Sequence, residues 1–261
     1  MPALDWLLFD VTKTVPEPGE STSVFDAWKG DQDAPTVDRL GSGSDYTAPL
    51  DHVGVPALAI GYETPSGEYH SSYDDTYQLE HFLDPGYVHQ AAAAKILGSA
   101  ALRLANADIL PLRYSTYASA VLGYVDELAK VEQQPGAAQV DLAPLRAAAQ
   151  EWGAATSTLE ARARELLGGH GHRDWARRRI NAALLRQERY LITAQGLPGR
   201  PWFRHQIYAP GINSGYATQE LPGMRDAVEQ GDTATATRYR DLLVASLRAA
   251  AADASAVAGS G

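Results

Sequence analysis

A change of composition near residue 85 constrains the fold of this chain more than any single motif. Residues 14–84 are rich in Gly, Pro, Ser, Asp and Tyr, whereas residues 86–260 are rich in Ala and Leu. Gly and Pro interrupt regular structure, while Ala and Leu have high helix propensity. The sequence therefore predicts a loop-rich first part and a helical second part.

The second part contains a series of predicted helices that short breakers separate. Pro85 can occupy the first turn of a helix, and this helix is predicted to run to about Ala107. Further helices are predicted at 115–133, 141–168, 172–196 and 233–258. Successive helices with short connections favour an antiparallel bundle. The loop-rich segment 197–224 interrupts the series, and long loops of this kind often carry function.

The first part contains one predicted strand and one short predicted helix. The strand is the apolar run Pro56-Ala-Leu-Ala-Ile-Gly-Tyr62, which turn residues bound on both sides. The helix lies at the start of the chain, where apolar residues recur at helical spacing at Leu4, Leu7, Leu8 and Val11. We therefore interpret residues 1–112 as the edge of an α/β domain and residues 113–261 as an all-α helical bundle.

The opening of the chain inside a core-type helix pattern predicts that Met1 begins a fragment. In that case the sheet partners of the 56–62 strand lie outside the chain. An unpaired strand edge promotes aggregation, so we expect the first third to be poorly soluble or partly disordered.

Charge and cysteine content exclude several classes of function. The formal net charge is -10, which repels phosphate backbones, so no nucleic-acid partner is expected. The absence of cysteine excludes disulfides, thiolate nucleophiles and cysteine zinc sites. Asp5 and Asp10 interrupt the first apolar stretch, so we predict neither a signal peptide nor a membrane segment. The cellular compartment stays open.

Among the seven histidines, His70 has the most suggestive position. It follows Tyr69 in a loop beyond the predicted strand, where α/β folds place their sites. Such a pair can supply a metal ligand and a hydrogen-bond donor to an oxyanion. A solvated loop histidine is the alternative interpretation.

Five of the other histidines have simpler interpretations. No HExxH or GxSxG pattern is present. His170 and His172 stand in a Gly-rich turn, and His52 is expected to pack. His81 and His89 flank Pro85 without a carboxylate beside them in the predicted arrangement.

Gly41-Ser-Gly-Ser-Asp45 is a second candidate loop, because glycines let a ligand approach the backbone. It matches neither a P-loop nor a dinucleotide fingerprint. Asp45 is interpreted as the N-cap of a following helix, since Asp is a preferred N-cap residue. A ligand-contacting role for Asp45 is the alternative.

Several ordered motifs together resemble the glutamate carboxypeptidase II family, two-zinc exopeptidases related to the transferrin receptor. The motifs are Leu40-Gly-Ser-Gly-Ser-Asp-Tyr46, His52-Val-Gly-Val-Pro56, Tyr69-His70-Ser-Ser-Tyr-Asp-Asp-Thr-Tyr77, Asp84-Pro85, Arg200-Pro-Trp-Phe-Arg-His-Gln-Ile-Tyr-Ala-Pro210, Tyr216 and Leu221-Pro-Gly223. The resemblance covers nearly all of residues 1–258. It implies a peptide substrate, two zinc ions in a complete enzyme, and a homodimer formed through the helical part, which resembles the family's dimerisation domain.

The resemblance also implies roles for individual residues. His70 matches the last zinc ligand in the family's chain order, and Tyr69 matches the tyrosine that hydrogen-bonds the tetrahedral intermediate. Ser42 and Gly43 match the loop beside the substrate. Tyr216 matches a residue that reaches the C-terminal carboxylate of the substrate.

Departures from the family pattern limit these implications. Family members that prefer a C-terminal glutamate have arginines on the strand that corresponds to 56–62 and a lysine where this chain has Gly215. The other zinc ligands and the general base match positions upstream of this chain. The leading hypothesis is therefore a C-terminal part of a zinc exopeptidase, inactive alone. A non-catalytic dimerisation module is the runner-up, and an α/β edge and bundle without a site is a third possibility.

Overall fold

The computed structural model describes residues 1–63, 67–168 and 174–259. These residues form two compact units, each described by itself below. The second unit, as we call it, comprises Asp5–Val37 and Ala59–Ala107. The bundle unit comprises Met1–Leu4, Asp38–Leu58 and Asp108–Gly261.

The second unit is built on short helices and one long helix. Its elements are α1 (Asp5–Thr12), α2 (Val24–Lys29), the one-turn α3 (Thr76–Gln78) with a π-helical turn at Leu79–Leu83, and α4 (Val88–Ala105). Helix α1 packs against α2 and α4 through its buried face. The Phe9 ring lies 5.7 Å from Phe25 and 6.0 Å from Trp28. The predicted first helix is thereby confirmed.

Helix α4 confirms the helix predicted after Pro85, although it begins at Val88. The Asp84 carboxylate explains the start, because it accepts hydrogen bonds from the backbone N–H groups of His89 at 3.1 Å and Gln90 at 3.0 Å. These N–H groups lack partners within the helix, so a carboxylate before the first turn stabilises them.

The strand predicted at residues 56–62 is wrong for this structure. The segment forms no strand, although the Met1 ammonium donates to the carbonyl oxygen of Ala57 at 3.2 Å. An apolar run becomes a strand only when another strand satisfies its backbone groups, and no part of the described chain pairs with it. The predicted α/β edge is consequently not confirmed, and the described residues are mostly helical.

The bundle unit contains α5 (Tyr114–Val131), α6 (Ala143–Gly168), α7 (Asp174–Tyr190), α8 (Pro222–Glu229) and α9 (Thr233–Ala258). Helix α6 packs against α5 and α9, while α7 and α8 pack against α9. The predicted helical bundle is confirmed. The apolar stripe of α6 lies in its core at Leu145, Trp152, Leu159 and Leu166.

A short hairpin lies inside the segment that the sequence predicts to be a loop. Strands β1 (Tyr208–Pro210) and β2 (Thr218–Glu220) pair antiparallel, with Tyr208 opposite Glu220. Pro222 then occupies the first turn of α8. The exposed tip of the hairpin, residues 211–217, projects from this buried base.

Candidate functional site

Two segments far apart in sequence meet in the bundle unit. The first is residues 40–46, which we call the glycine loop, and the second is the hairpin tip. The Ser42 amide donates a hydrogen bond to the Tyr216 carbonyl oxygen at 3.1 Å. A Cβ atom added to Gly43 would lie 2.4 Å from Cε2 and Cζ of the Tyr216 ring. Ser42, Gly43 and Tyr216 therefore lie together.

The glycines permit this close approach. A Cβ atom on Gly41 would lie 2.5 Å from the Tyr216 carbonyl oxygen and 2.7 Å from the Thr218 nitrogen. Gly43 has φ +105°, a conformation that residues with a side chain rarely adopt. Both positions therefore require glycine for the loop to contact the hairpin.

Tyr46 and Asp51 lie close behind the glycine loop. The Tyr46 hydroxyl donates to the Ser42 carbonyl oxygen at 3.4 Å. Burial, followed by the negative charge of Asp51, raises the pKa of Tyr46 above its usual value. Asp51 is fully buried and no described residue hydrogen-bonds its carboxyl oxygens. Burial raises its pKa to about 8.

The π-helical turn that contains Asp51 does not use Asp45 as its cap. This turn spans Ala48–Val53, and its N-cap is Thr47, which makes no side-chain capping hydrogen bond. The capping role predicted for Asp45 is therefore wrong. The Thr47 amide instead donates a hydrogen bond to the Ser44 carbonyl oxygen at 3.0 Å, so a backbone group satisfies this N–H and no side-chain cap is needed for it.

Tyr69 and His70 lie in the second unit. Their rings stack with centroids 3.8 Å apart, and the Tyr69 side chain is exposed. His70 adopts a left-handed backbone with φ +61°, and its amide donates to Asp74 Oδ2 at 3.2 Å. Such a conformation in a residue other than glycine costs on the order of 1 kcal/mol and often marks a functional loop.

The described residues do not fit a catalytic zinc. Across residues 1–63, 67–168 and 174–259, no group of three or more His, Asp or Glu side chains could hold a metal ion. A catalytic zinc takes about three protein ligands, and His70 alone could supply at most one. His170 and His172, which the sequence places in a turn, lie outside the described residues.

The contacts of His52 support the prediction that this side chain packs against its neighbours. Its Nδ1 atom lies 2.7 Å from the Trp202 carbonyl oxygen, and its ring stacks on Trp202 at 4.9 Å. His89 differs from expectation, because its Nδ1 atom lies 3.0 Å from Asp84 Oδ1. The carboxylate that caps α4 thus also binds this histidine. His81 contacts the Tyr77 carbonyl oxygen through Nδ1 at 2.9 Å.

His205 forms a buried hydrogen-bonded pair with Glu188 that sequence reasoning missed. Its Nε2 atom lies 2.9 Å from Glu188 Oε1, and both side chains are fully buried. Its Nδ1 atom accepts hydrogen bonds from the amides of Ile207 at 3.2 Å and Tyr208 at 3.1 Å. Nδ1 therefore carries no proton, so the ring donates to Glu188 through Nε2. A histidine and a glutamate on separate segments give no local spacing signal.

Aromatic residues surround this pair. The Tyr117 hydroxyl donates to Glu188 Oε1 at 3.5 Å, and the Tyr117 ring stacks on Tyr208 at 6.0 Å. Burial, followed by the charge of Glu188, raises the pKa of Tyr114 and Tyr117 well above the usual value. The network connects α5 and α7 to the base of the hairpin that carries Tyr216.

Comparison with known proteins identifies the helical part. Residues 140–255 match the family described as the transferrin receptor-like dimerisation domain. This match includes α6 to α8, the hairpin and most of α9. The chain therefore contains a transferrin receptor-like dimerisation domain.

Most of the chain is also similar to named peptidases. It is 31% identical over 230 residues to the probable glutamate carboxypeptidase LAMP1 of Arabidopsis thaliana, covering 87% of this chain and 33% of that protein. It is 26% identical over 271 residues to the aminopeptidase NAALADL1 of Rattus norvegicus, covering 94% of this chain and 35% of that protein.

A further relative is described as inactive. The chain is 26% identical over 209 residues to the inactive zinc metalloprotease C354.09c of Schizosaccharomyces pombe, covering 75% of this chain and 26% of that protein.

This chain is thus a homologue of glutamate carboxypeptidases and NAALADL1 aminopeptidases and spans about a third of their length. None of the described helices is long and apolar enough to cross a membrane.

Proposed function

We propose that this chain supplies a substrate-binding loop, one zinc ligand and the dimerisation domain of a zinc-dependent exopeptidase. Within it, residues 1–112 are the peptidase part and residues 113–261 are the dimerisation part. The bundle unit joins two such chains into a homodimer, in keeping with the transferrin receptor-like dimerisation domain at residues 140–255.

The contact between the glycine loop and the hairpin tip is the observation that carries the proposal. The family resemblance assigns Ser42, Gly43 and Tyr216 to one substrate, although Gly43 and Tyr216 lie far apart in sequence. The bond from Ser42 to the Tyr216 carbonyl oxygen and the approach of Gly43 to the Tyr216 ring place them side by side. The Tyr216 residue is about half exposed, and a tyrosine hydroxyl can donate a hydrogen bond to the C-terminal carboxylate of a peptide.

The proposed peptide has a neutral C-terminal residue. Gly215 stands beside Tyr216 where glutamate-preferring relatives carry a lysine, and residues 56–62 contain no arginine. A glutamate side chain would lose charge-assisted hydrogen bonds at these positions. A C-terminal leucine or other neutral residue makes no such hydrogen bonds and loses no binding energy there. We therefore propose that the peptide site has a broader or more apolar specificity.

Tyr69 and His70 would contribute to catalysis in the complete site. Tyr69 would donate its phenolic proton in a hydrogen bond to the oxygen of the tetrahedral intermediate, while His70 would hold zinc. Because the described residues supply too few ligands, we expect the 261-residue protein to bind no zinc tightly and to hydrolyse no peptide.

Binding and activity can be measured separately. Metal analysis after dialysis against zinc is expected to give far less than one zinc per chain, and N-acetyl dipeptides are expected to remain intact. The Gly43 amide resonance should shift on titration with N-acetyl-alanyl-leucine, and less with the corresponding glutamate peptide. The His170→Ala variant controls for zinc bound by the histidines of the Gly-rich sequence 168–172. Stoichiometric zinc with turnover, or no shift with either peptide, refutes the proposal.

A non-catalytic dimerisation module is the second candidate. Its support is the similarity to an inactive zinc metalloprotease together with the lack of a metal-ligand group among the described residues. Both candidates predict a dimer in sedimentation experiments. They differ in peptide binding, because a pure dimerisation module gives no shift at Gly43.

A further inference from the structure

The contact between the glycine loop and the hairpin tip includes a hydrogen bond from the Ser42 amide to the Tyr216 carbonyl oxygen. Gly43 and the tip residues from 212 to 217 are exposed. A backbone hydrogen bond contributes only about 1 kcal/mol, so other interactions that fix the loop add substantially to the stability of this contact.

Arg39, immediately before the glycine loop, makes such an interaction with two carboxylates. Its Nη1 and Nη2 atoms donate to Glu127 Oε2 at 2.9 Å and to Glu127 Oε1 at 2.7 Å. Nη1 also lies 2.8 Å from Glu220 Oε1. Glu127 lies on α5 and Glu220 ends β2, so a single guanidinium joins the loop to a helix and to the hairpin.

The backbone and the flat face of Arg39 are engaged as well. The Thr218 hydroxyl donates to the Arg39 carbonyl oxygen at 2.7 Å. The guanidinium carbon lies 4.7 Å from the centroid of the Tyr124 ring, whose hydroxyl is 2.6 Å from that of Tyr208. Arg39 therefore contacts both ends of β2 and a side chain bonded to β1.

The charges make these contacts specific for arginine. The Glu220 side chain is only 9% exposed, and burying a charged carboxylate without a cation close by is costly. Arg225 is farther from it, with Nη1 3.8 Å from Oε2. The hydrogen bond from Arg39 lowers the pKa of Glu127, and these carboxylates raise the pKa of Arg39. A lysine has the charge without the fork that meets both oxygens of Glu127.

We propose that Arg39 is a positioning residue, which fixes the glycine loop against the Tyr216 hairpin through Glu127, Glu220 and Thr218. Its guanidinium is committed to these partners and does not touch substrate. By fixing the loop it sets the distance between the Gly43 backbone and the Tyr216 phenol. The importance of that distance for a peptide carboxylate rests on the proposed function.

Hydrogen exchange of single amides in the full 261-residue protein tests this role. The Ser42 amide reports the contact of the loop with the tip. The Gly211 amide, which donates to Ala217 at 2.8 Å, reports the hairpin itself. In Arg39→Gln, the exchange rate of the Ser42 amide is expected to rise about tenfold, because that factor corresponds to the loss of one charge-assisted hydrogen bond. The exchange rate of the Gly211 amide should stay unchanged. Arg39→Lys should be intermediate.

A matched control comes from elsewhere in the bundle unit. Arg248 Nε lies 3.3 Å from Glu151 Oε2, and both side chains are about half exposed. Arg248→Gln removes the same charge and should leave Ser42 exchange unchanged. Unchanged Ser42 exchange in folded Arg39→Gln overturns the positioning role. Equal acceleration at Ser42 and Gly211, as in general loosening of the fold, also overturns it. If Arg39→Gln fails to fold, Arg39→Lys decides by the same comparison.

Titration with N-acetyl-alanyl-leucine separates this inference from the proposed function. If the wild-type Gly43 resonance shifts, Arg39→Gln should raise the dissociation constant at least threefold, whereas Arg248→Gln should not. An unchanged dissociation constant overturns the consequence for the peptide site. If wild type shows no shift, the proposed peptide site fails, and the exchange experiment still decides whether Arg39 positions the loop.

Discussion

Replacing Gly41 by alanine tests how closely the glycine loop must approach the hairpin. The added Cβ would lie 2.5 Å from the Tyr216 carbonyl oxygen, 2.7 Å from the Thr218 nitrogen and 2.9 Å from the Thr218 Cα. All three are backbone atoms, so no side-chain rotation relieves the overlap. The loop or the β2 strand must move.

The expected loss of stability follows from two contributions. Overpacking by a methyl group costs typically about 1–3 kcal/mol. Separation of the segments also breaks the Ser42 hydrogen bond, which contributes about 0.5–1.5 kcal/mol. We therefore expect Gly41→Ala to lower the free energy of unfolding of the bundle unit by roughly 1.5–4.5 kcal/mol.

Urea denaturation with Gly123→Ala as the control measures this effect. Gly123 lies on the exposed side of α5 with nothing within 4 Å of an added Cβ. There the same change should stabilise the protein by about 0.5–1 kcal/mol, because alanine favours a helix. The unfolding free energy falls by about 1–3 kcal/mol per molar urea, so stability changes of this size are visible as shifts of the urea midpoint. Because the two substitutions change stability with opposite signs, their midpoints should move in opposite directions. A Gly41→Ala midpoint at or above wild type refutes the reasoning.

Two further predictions concern buried ionisable groups of the bundle unit. Glu188→Ala should lower the unfolding free energy by roughly 2–4 kcal/mol, since His205 loses its buried partner. Glu188→Gln should lower it less, because the glutamine oxygen can still accept a hydrogen bond from Nε2. Equal urea midpoints for the two variants contradict the pairing. Because burial raises the folded-state pKa of Asp51 to about 8 from its ordinary value of 3.8, stability should fall as pH rises from about 4 to about 8. Urea midpoints across this range should show a smaller fall in Asp51→Asn, and parallel profiles for the two proteins contradict the shift.

Local sequence patterns predicted the helices well. The period of the apolar residues in α6 follows from helix geometry, so Leu145, Trp152 and Leu159 could be assigned to one buried face without knowledge of the fold. Pro85 similarly marked the start of α4 to within a few residues. These features depend on neighbours in sequence, where the relevant energies are local.

The interactions that build the candidate site could be predicted only in part. The family resemblance named Ser42, Gly43 and Tyr216, but no residue spacing indicated that Gly43 would lie against the Tyr216 ring. Arg39 gave no signal, because Glu127 and Glu220 lie 88 and 181 positions away. The roles of Tyr69 and His70 stay predictions.

The sequence by itself determined the helical class of the second part and the short first helix, since each depends on residue type and local period. The tertiary structure decided that the apolar run 56–62 is not a strand in this chain, because a strand requires a partner that local sequence cannot supply. It also decided that a predicted loop contains a hairpin whose buried base rests on Glu188 and His205. Such a pair forms only when folding brings separate segments together, so that the buried Glu188 carboxylate accepts a hydrogen bond from the His205 ring.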